Sequence, residues 1–432
     1  MKRRVLGATE ASRSGYSHYM QRKIDELALI EERLAHPPPP PQINHLGALL
    51  NRKFKSAALC RAELAAAQWS QTETRWKSGP CGSGAFLFDY EYQRADLAVV
   101  GPPAYSIRGL EKQLLATQYT TSGMAALAAS LLAVQRLWPG CSFEARADGY
   151  PETRELIELL GVDQHDGSAR VGIVDSTVDT PLAARTRLKD AAVAIFDTSC
   201  FAASSSRIRA ITTIARDLDV PLILIRSHTK LDCLGLDYGR LGSVVVTKSR
   251  AAGGPELELN RLITDFIRLT GAAALPLHFP PFASGEIYRS LSRARSTWTI
   301  RCTRLIDLHL RRFVELDVRS FSHGLYIVFY PSFYARKEEA SEAAAGLVAR
   351  LMDDDIPARH AGSFGFDFFG CDWFEDPESG RIGLRLSVGD LPLCLIERAI
   401  GTIEQWLDAT LDAATVEHDQ HISGTPADKT LR

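Results

Sequence analysis

The sequence contains no Cys-x-x-Cys pair, no His-x-His or His-x-x-x-His pair, and no uninterrupted apolar run long enough to span a bilayer. Its eight cysteines, Cys60, Cys81, Cys141, Cys200, Cys233, Cys302, Cys371 and Cys394, lie scattered over 432 residues. That spacing argues against a disulfide framework or a zinc site and describes reduced thiols. Excess charge is missing too. A net charge of -2 gives no electrostatic argument for nucleic acid or a membrane surface, so the expected partner is a small molecule. The opening Met1-Lys2-Arg3-Arg4 is basic, but no apolar stretch comes after it. It reads as a poor signal peptide, and the expectation is a cytoplasmic protein.

What is present is the composition of a soluble globular protein, 45% hydrophobic and 24% charged. The length predicts about two domains plus an appendage. Between Ser14 and Ala35, Tyr19, Ile24, Leu27, Leu29, Ile30 and Leu34 recur among charges, which predicts an amphipathic helix. Pro37 to Pro41 then form a stiff spacer, and a second helix is predicted over His45 to Gln68. Residues 1–80 therefore read as a helical arm, long enough to suggest packing on a neighbouring subunit. From Gly79 onward short β-rich runs alternate with helical ones: Gln118 to Tyr119, Gly123 to Leu137, Glu152 to Leu160, Val171 to Val174, Val193 to Phe196, Arg207 to Asp217, Leu222 to Ile225 and Ser243 to Val246. This alternation predicts an α/β large domain over residues 81–285, with a mostly parallel sheet and helices on both faces. Residues 286–432 read as a smaller α+β domain. Its predicted elements are the helices Tyr288 to Val314, Lys337 to Asp353 and Leu395 to Leu411, the strands Leu325 to Tyr330 and Ile382 to Val388, and a loose tail after Ala414.

The chemistry-bearing residues fall where strands should end. Leu222-Ile223-Leu224-Ile225 reads as a buried strand that delivers Ser227, Thr229 and Lys230 to its end. A lysine held against apolar surroundings has a lowered pKa and a nucleophilic amine, as a Schiff base with an aldehyde requires. Thr121-Ser122-Gly123-Met124 opens a helix of small residues, and its free N–H groups make a seat for a phosphate or an ordinary cap. Tyr150 either lays its ring on a flat ligand or staples the helix after it. Asp197, after four apolar residues, either caps a turn or meets a cationic ring nitrogen. A phosphate seat, a ring platform, an acid for a ring nitrogen and an aldehyde-binding lysine together describe pyridoxal 5'-phosphate.

On these residues the chain resembles the fold-type I pyridoxal-phosphate enzymes, and most of all the cysteine/methionine-metabolism branch that holds the cystathionine γ-synthases and γ-lyases. Tyr92-Gln93-Arg94 is similar to that branch's Tyr-x-Arg, whose side chains reach across a dimer interface to the partner's phosphate. Ser122-Gly123-Met124-Ala125-Ala126 resembles its phosphate loop, and Tyr150 with Thr153 its Tyr-Gly-Gly-Thr. Ser227-His228-Thr229-Lys230 matches Ser-x-Thr-Lys, and Arg385-Leu386-Ser387-Val388-Gly389 matches the late Arg-x-Ser-x-Gly that binds the substrate carboxylate. The resemblance implies a seven-stranded-type sheet, a homodimer or homotetramer with a shared site, and a lyase or transferase working by γ-elimination or γ-replacement on an L-amino acid through a vinylglycine-type intermediate. It implies Lys230, Tyr150 and Asp197 as catalytic groups, with Tyr92, Arg94, Ser122, Gly123, Met124, Ser227 and Thr229 around the cofactor. Arg385 and Ser387 would hold the substrate.

The departures are specific. After the lysine stands Leu231-Asp232-Cys233-Leu234-Gly235 where the branch has Gly-His, and Tyr238-Gly239-Arg240-Leu241-Gly242 resembles an aminotransferase Arg-x-Gly, which makes Arg240 a further phosphate ligand. Only Asp175-Ser176 to Asp179 hints at the branch's Glu-Ser-Pro-x-Asn-Pro. An alternative registration puts Arg226 in the place of the acid and makes Lys248 the rival aldehyde-binding lysine. An aminotransferase and a non-catalytic dimeric binding protein on the same fold remain as the other readings. The altered segments point away from a housekeeping enzyme and toward specialised amino-acid biosynthesis.

Overall fold

A computed structural model describes residues 10–39, 45–72, 81–83, 86–89, 98–100, 103–105, 107–161, 169–248, 254–314, 316–331, 334–376 and 378–423. The arm is two long helices, α1 (Glu10–Glu31) and α2 (Leu46–Thr72). A small antiparallel sheet comes next, β1 (Cys81–Ser83), β2 (Phe86–Asp89) and β3 (Ala98–Val100). The large body then runs β4 (Gln118–Thr120), α3 (Gly123–Leu137), β5 (Ser142–Glu144), α4 (Pro151–Leu159), β6 (Arg170–Val174), α5 (Pro181–Leu188), β7 (Val193–Asp197), α6 (Ser206–Asp217), β8 (Leu222–Ser227), the single-turn α7 (His228–Leu231), β9 (Gly242–Val246) and α8 (Glu256–Leu269). The remainder is α9 (Gly285–Leu310), β10 (Asp317–Ser320), β11 (Tyr326–Tyr330), α10 (Lys337–Asp353), β12 (Ala358–His360), β13 (Phe369–Glu375), β14 (Ile382–Ser387) and α11 (Leu393–Ser423).

The large sheet has the order β4-β9-β8-β7-β6-β5. Strands β5 to β8 are parallel, while β9 is antiparallel to β8 and β4 to β9. Alternation along the strands explains why both faces are covered. Val193, Ile195, Ile223, Ile225, Val244 and Val246 join one core with α3 and α8, and Ala194, Phe196, Leu222, Leu224 and Val245 join another with α5 and α6. The second sheet, β10-β11-β14-β13-β12, is antiparallel except for the β12–β13 pair, and α10 and α11 cover it.

The α/β architecture expected from the sequence is present, with several differences. Six strands, not a seven-stranded set, form the large sheet among the described residues. Elements β1, β2, β3, β5, β10, β12, β13, α5, α7 and α8 were not anticipated from the sequence. The three-residue strands β5 and β12 are too short to show a period, whereas α8 carried a readable one, Leu259, Leu262, Ile263 and Ile267 all facing the core. The last helix runs on to Ser423 in place of a loose tail, since 411–423 holds helix formers and neither proline nor glycine.

The arm packs on its own chain. Tyr19, Leu46 and Leu50 enter the core of the second sheet, and Leu29, Ile30, Leu34, Ala57 and Cys60 pack with Cys233, Leu234, Leu236, Tyr238 and Phe282 of the large body. Two apolar faces on one helical hairpin find two apolar surfaces in the same molecule.

Candidate active site

Because β5 to β8 run parallel, their carboxyl ends open on one side of the sheet. There a cavity of about 890 Å³ brings together Ser122, Gly123, Met124, Tyr150, Asp197, Ser227, Thr229, Lys230, Arg240 and Arg385, residues far apart in the sequence. Tyr92 and Arg94 lie outside the described residues.

Lys230 sits on the one-turn helix that β8 feeds. Its Nζ donates to Ser363 Oγ at 2.6 Å and lies 5.3 Å from the centre of the Phe364 ring. Among the described residues no carboxylate stands within salt-bridge distance of it. Burial first, and then the Arg385 guanidinium, push its pKa below the ordinary lysine value. This favours the free amine, the nucleophilic form.

The start of α3 faces the lysine's segment. Ser122 caps the helix by accepting from the Ala125 N–H at 3.0 Å, which leaves the Gly123 and Met124 amides outside the helix's own bonding. Gly123 is required by proximity: a Cβ there would lie 3.0 Å from Ser227 Cβ and 3.2 Å from Ser227 N. Gly242 serves the same contact from β9, since a Cβ on it would run into the Ser122 carbonyl. The glycine of the Arg240-x-Gly242 pattern is thus a packing requirement. Arg240 itself is exposed and lines the same cavity.

Tyr150 caps α4, and its backbone N–H donates to Asp175 Oδ2 at 2.6 Å. Asp175 also accepts from the Thr177 N–H and hydroxyl at 2.7 and 2.6 Å, so the loop after β6 holds the tyrosine in place. Burial, and after it Glu152, push the Tyr150 phenol well above its usual value. The group is therefore held in its protonated form near neutral pH. Asp197 ends β7 and accepts from the Ser199 N–H at 2.8 Å and the Ser176 hydroxyl at 3.3 Å. Burial, then the neighbouring Asp175, raise its pKa, and no cation pairs with it among the described residues. A carboxyl in this state favours a cationic ligand atom.

Arg385 comes from β14. Its Nε is buried without a partner among the described residues, and its Cζ lies 5.7 Å from the Tyr326 ring centre. A side chain on Gly362 would occupy the space of its guanidinium, so that glycine keeps the fork open. An arginine in a cavity with an unpartnered Nε is suited to a planar carboxylate.

Ser387 requires a correction. It does not line the cavity, because the residue is 4% exposed and its hydroxyl donates to Ser363 O at 2.7 Å and Gly370 O at 3.2 Å. Its work is to anchor the segment that carries Ser363. Ser363 and Phe364 were not anticipated from the sequence, where a Gly-Ser-Phe-Gly loop offers only its glycines as a signal.

The alternative registration also fails on geometry. Arg226 is fully buried, forks onto Asp232 and donates to Thr198 O at 2.9 Å and Phe201 O at 2.5 Å, so four of its five N–H donors are spent within the protein. Lys248 is exposed beyond the far end of β9. The antiparallel register pairs Ser227 with Gly242 and Ile223 with Val246, which puts Lys248 at the opposite edge of the sheet from Lys230.

No family model matches this sequence, and no curated protein does. Solved structures do show likeness. A cystathionine γ-synthase from Xanthomonas oryzae pv. oryzae in complex with cystathionine aligns at a TM-score of 0.49 and 17% identity, over 73% of this chain and 89% of that one. An alanine aminotransferase from Pyrococcus furiosus aligns at 0.46 and 12% identity over 68% and 76%. The Oryza sativa TDC with PLP and tryptamine aligns at 0.46 and 14% identity over 95% and 100%.

Proposed function

We propose that this chain is a pyridoxal 5'-phosphate enzyme that acts on an L-amino acid, with Lys230 as the amine that binds the cofactor. The observation that carries the reading is a half-buried lysine amine with no carboxylate partner among the described residues, in one cavity with a free helix start, a cation-seeking carboxyl and an arginine whose Nε has no partner there. When bound, the cofactor supplies an electron sink for charge developing at the substrate Cα.

The residues fit the group. The Gly123 and Met124 amides, Ser122 and Arg240 suit its phosphate, Tyr150 its ring face and Asp197 its ring nitrogen. Thr229, hydrogen-bonded to Ser227 at 2.9 Å, completes the wall beside Lys230. Arg385 receives the substrate carboxylate and so orients the Cα–H bond, an effect of positioning. Lys230 then takes the Cα proton as general base. Tyr150, kept protonated, is the donor available to a leaving group.

Within that class we favour γ-elimination or γ-replacement. The cavity is lined by Lys337, Trp373 and Phe374 as well as by Lys230 and Arg385, and its volume of about 890 Å³ is large enough for a substituent on the γ-carbon. The test has two stages. Protein incubated with pyridoxal 5'-phosphate should gain a band at the visible edge, and borohydride should then add the cofactor's mass to the Lys230 peptide. A colourless protein with an unaltered peptide overturns the reading. Amino acids with γ-halide, acyloxy, thioether or sulfonium groups are then supplied: 2-oxo acid with ammonia supports γ-chemistry, while conversion of the cofactor to its amine form means transamination.

A further inference from the structure

The arm carries a buried set of charges that ends on the lysine's neighbour. Lys23, Glu26 and Lys53 of the arm, together with Asp367 and Asp390, have no solvent exposure, and Arg295 of α9 is 4% exposed. Asp367 is the hub. It receives Lys23 at 2.5 Å, Lys53 at 2.7 Å, and Arg295. Lys53 also contacts Glu26 and the Leu234 carbonyl, and Arg22 forks onto Asp390 at 2.6 and 2.7 Å. Burial works to raise the Asp367 carboxyl, and Arg295, Lys23 and Lys53 outweigh it, so it stays ionised.

Two glycines bring the lysine's surroundings onto this cluster. Gly235, at φ +83°, leaves space that a Cβ would take from Arg295 and Asp367. Gly365, at φ +89°, lets its loop touch the Lys230 carbonyl, and Arg295 donates to the Gly365 carbonyl at 3.2 Å. The segment after the lysine that departs from the cystathionine pattern, Leu231 to Gly235, is therefore the one that meets the arm. Ser363 and Phe364 lie in the loop between Gly362 and Asp367, with the Asp367 end held by the arm and the Ser363 carbonyl held by Ser387.

We infer that Lys23 and Lys53 are positioning residues of the active site: acting through Asp367, they hold Ser363 against the Lys230 amine. The arm is then part of the site's scaffold, and its helices govern how readily that amine takes a proton. The inference rests on Lys230 being the reactive amine of the function proposed above.

The charge count makes the test practicable. Arg22, Lys23, Lys53 and Arg295 face Glu26, Asp367 and Asp390, so the cations exceed the anions by one. Lys53→Met, or Lys23→Met as a second variant, removes the surplus and leaves a balanced cluster, whereas Asp367→Asn would strand cations. Full-length protein freed of cofactor is treated with trinitrobenzenesulfonate over a pH series, and labelling of the Lys230 peptide is read by mass spectrometry. Ser363→Ala deletes an acceptor for the protonated amine, so its labelling midpoint should fall by about one pH unit, the size of a hydrogen bond to a charged group. Lys53→Met and Lys23→Met should move the midpoint the same way, and Lys53→Met combined with Ser363→Ala should move it no further. A folded lysine variant, checked by circular dichroism, with the wild-type midpoint overturns the inference, and so does an additive double variant. The labelling does not require the cofactor, so its failure is separate from failure of the borohydride test.

Discussion

Arg226 and Asp232 form a fork, Nε to Oδ2 at 2.7 Å and Nη2 to Oδ1 at 2.8 Å, that closes the turn carrying Lys230 back onto the strand that leads to it. His228 joins from within the turn, 2.8 Å from Asp232 Oδ2 and 2.8 Å from Ser243 Oγ. The Arg226 bonds to the Thr198 and Phe201 carbonyls tie the same turn to the loop after Asp197. This ion pair thus ties the lysine's turn to the loop that follows the acid.

Asp232→Asn should be severely destabilising, because it leaves the buried Arg226 charge without its counter-ion. A loss of about 3–5 kcal/mol in a denaturant titration is the expected size. Burial tends to raise the Asp232 carboxyl, but Arg226 and His228 hold it well below the usual carboxylate range. A carboxyl depressed in the folded state contributes stability above its unfolded pKa of about 4, and that contribution is lost as pH falls further. Wild-type stability should therefore drop on acidification below about pH 4, with a shallower slope in the variant.

Asp197→Asn should separate function from stability. The Asp197 carboxyl is raised by burial and by Asp175, so the folded state binds its proton more tightly than the unfolded state does. Its contribution becomes unfavourable as pH rises above about 4. In the cofactor-free protein the variant should thus melt higher than wild type at neutral pH, with the gap closing near pH 4. With cofactor, turnover should fall by roughly a hundredfold as the ring nitrogen loses its acid.

Arg385→Lys keeps the charge and loses the fork. The expected change is about 2–3 kcal/mol of transition-state binding, roughly a hundredfold in kcat/KM for an amino acid. The corresponding amine without a carboxylate, measured by its binding to the cofactor-loaded protein, should bind both forms equally. A loss shared by both compounds would mean that Arg385 does not read the carboxylate.

Arg240→Ala and Gly242→Ala should behave in opposite ways although they stand two residues apart. The arginine is exposed, so its loss should change stability by no more than about 0.5 kcal/mol while weakening retention of the cofactor. The alanine would push a methyl group into the Ser122 carbonyl, an overpacking that costs about 1–3 kcal/mol, visible as a lower melting temperature before any ligand is added.

Much of the site was legible in the sequence because its groups sit at the ends of strands and at a helix start. Buried strands read as apolar runs, and the residues just past the end of such a run open on a cavity. This placed Lys230 after Leu222 to Ile225, Asp197 after Val193 to Phe196, and Ser122 before Gly123 to Leu137. Arg385 was recognisable through the pattern shared with Ser387, yet the guanidinium and the hydroxyl serve different tasks. Packing on the Ser363 segment decides that, and it appears only once the sheet is assembled.

By itself the sequence determined the alternation of strands and helices, the apolar stretches that become the faces of the large sheet, and the residue types delivered to its carboxyl edge, since each arises from local periodicity and burial. The tertiary structure alone decided which lysine faces the cavity, because only the antiparallel register of β9 sends Lys248 to the far edge. It also decided where the arm goes. Lys23 and Lys53 find Asp367 more than three hundred residues away, and a charge in a sequence carries no mark of the partner that will remove it from water.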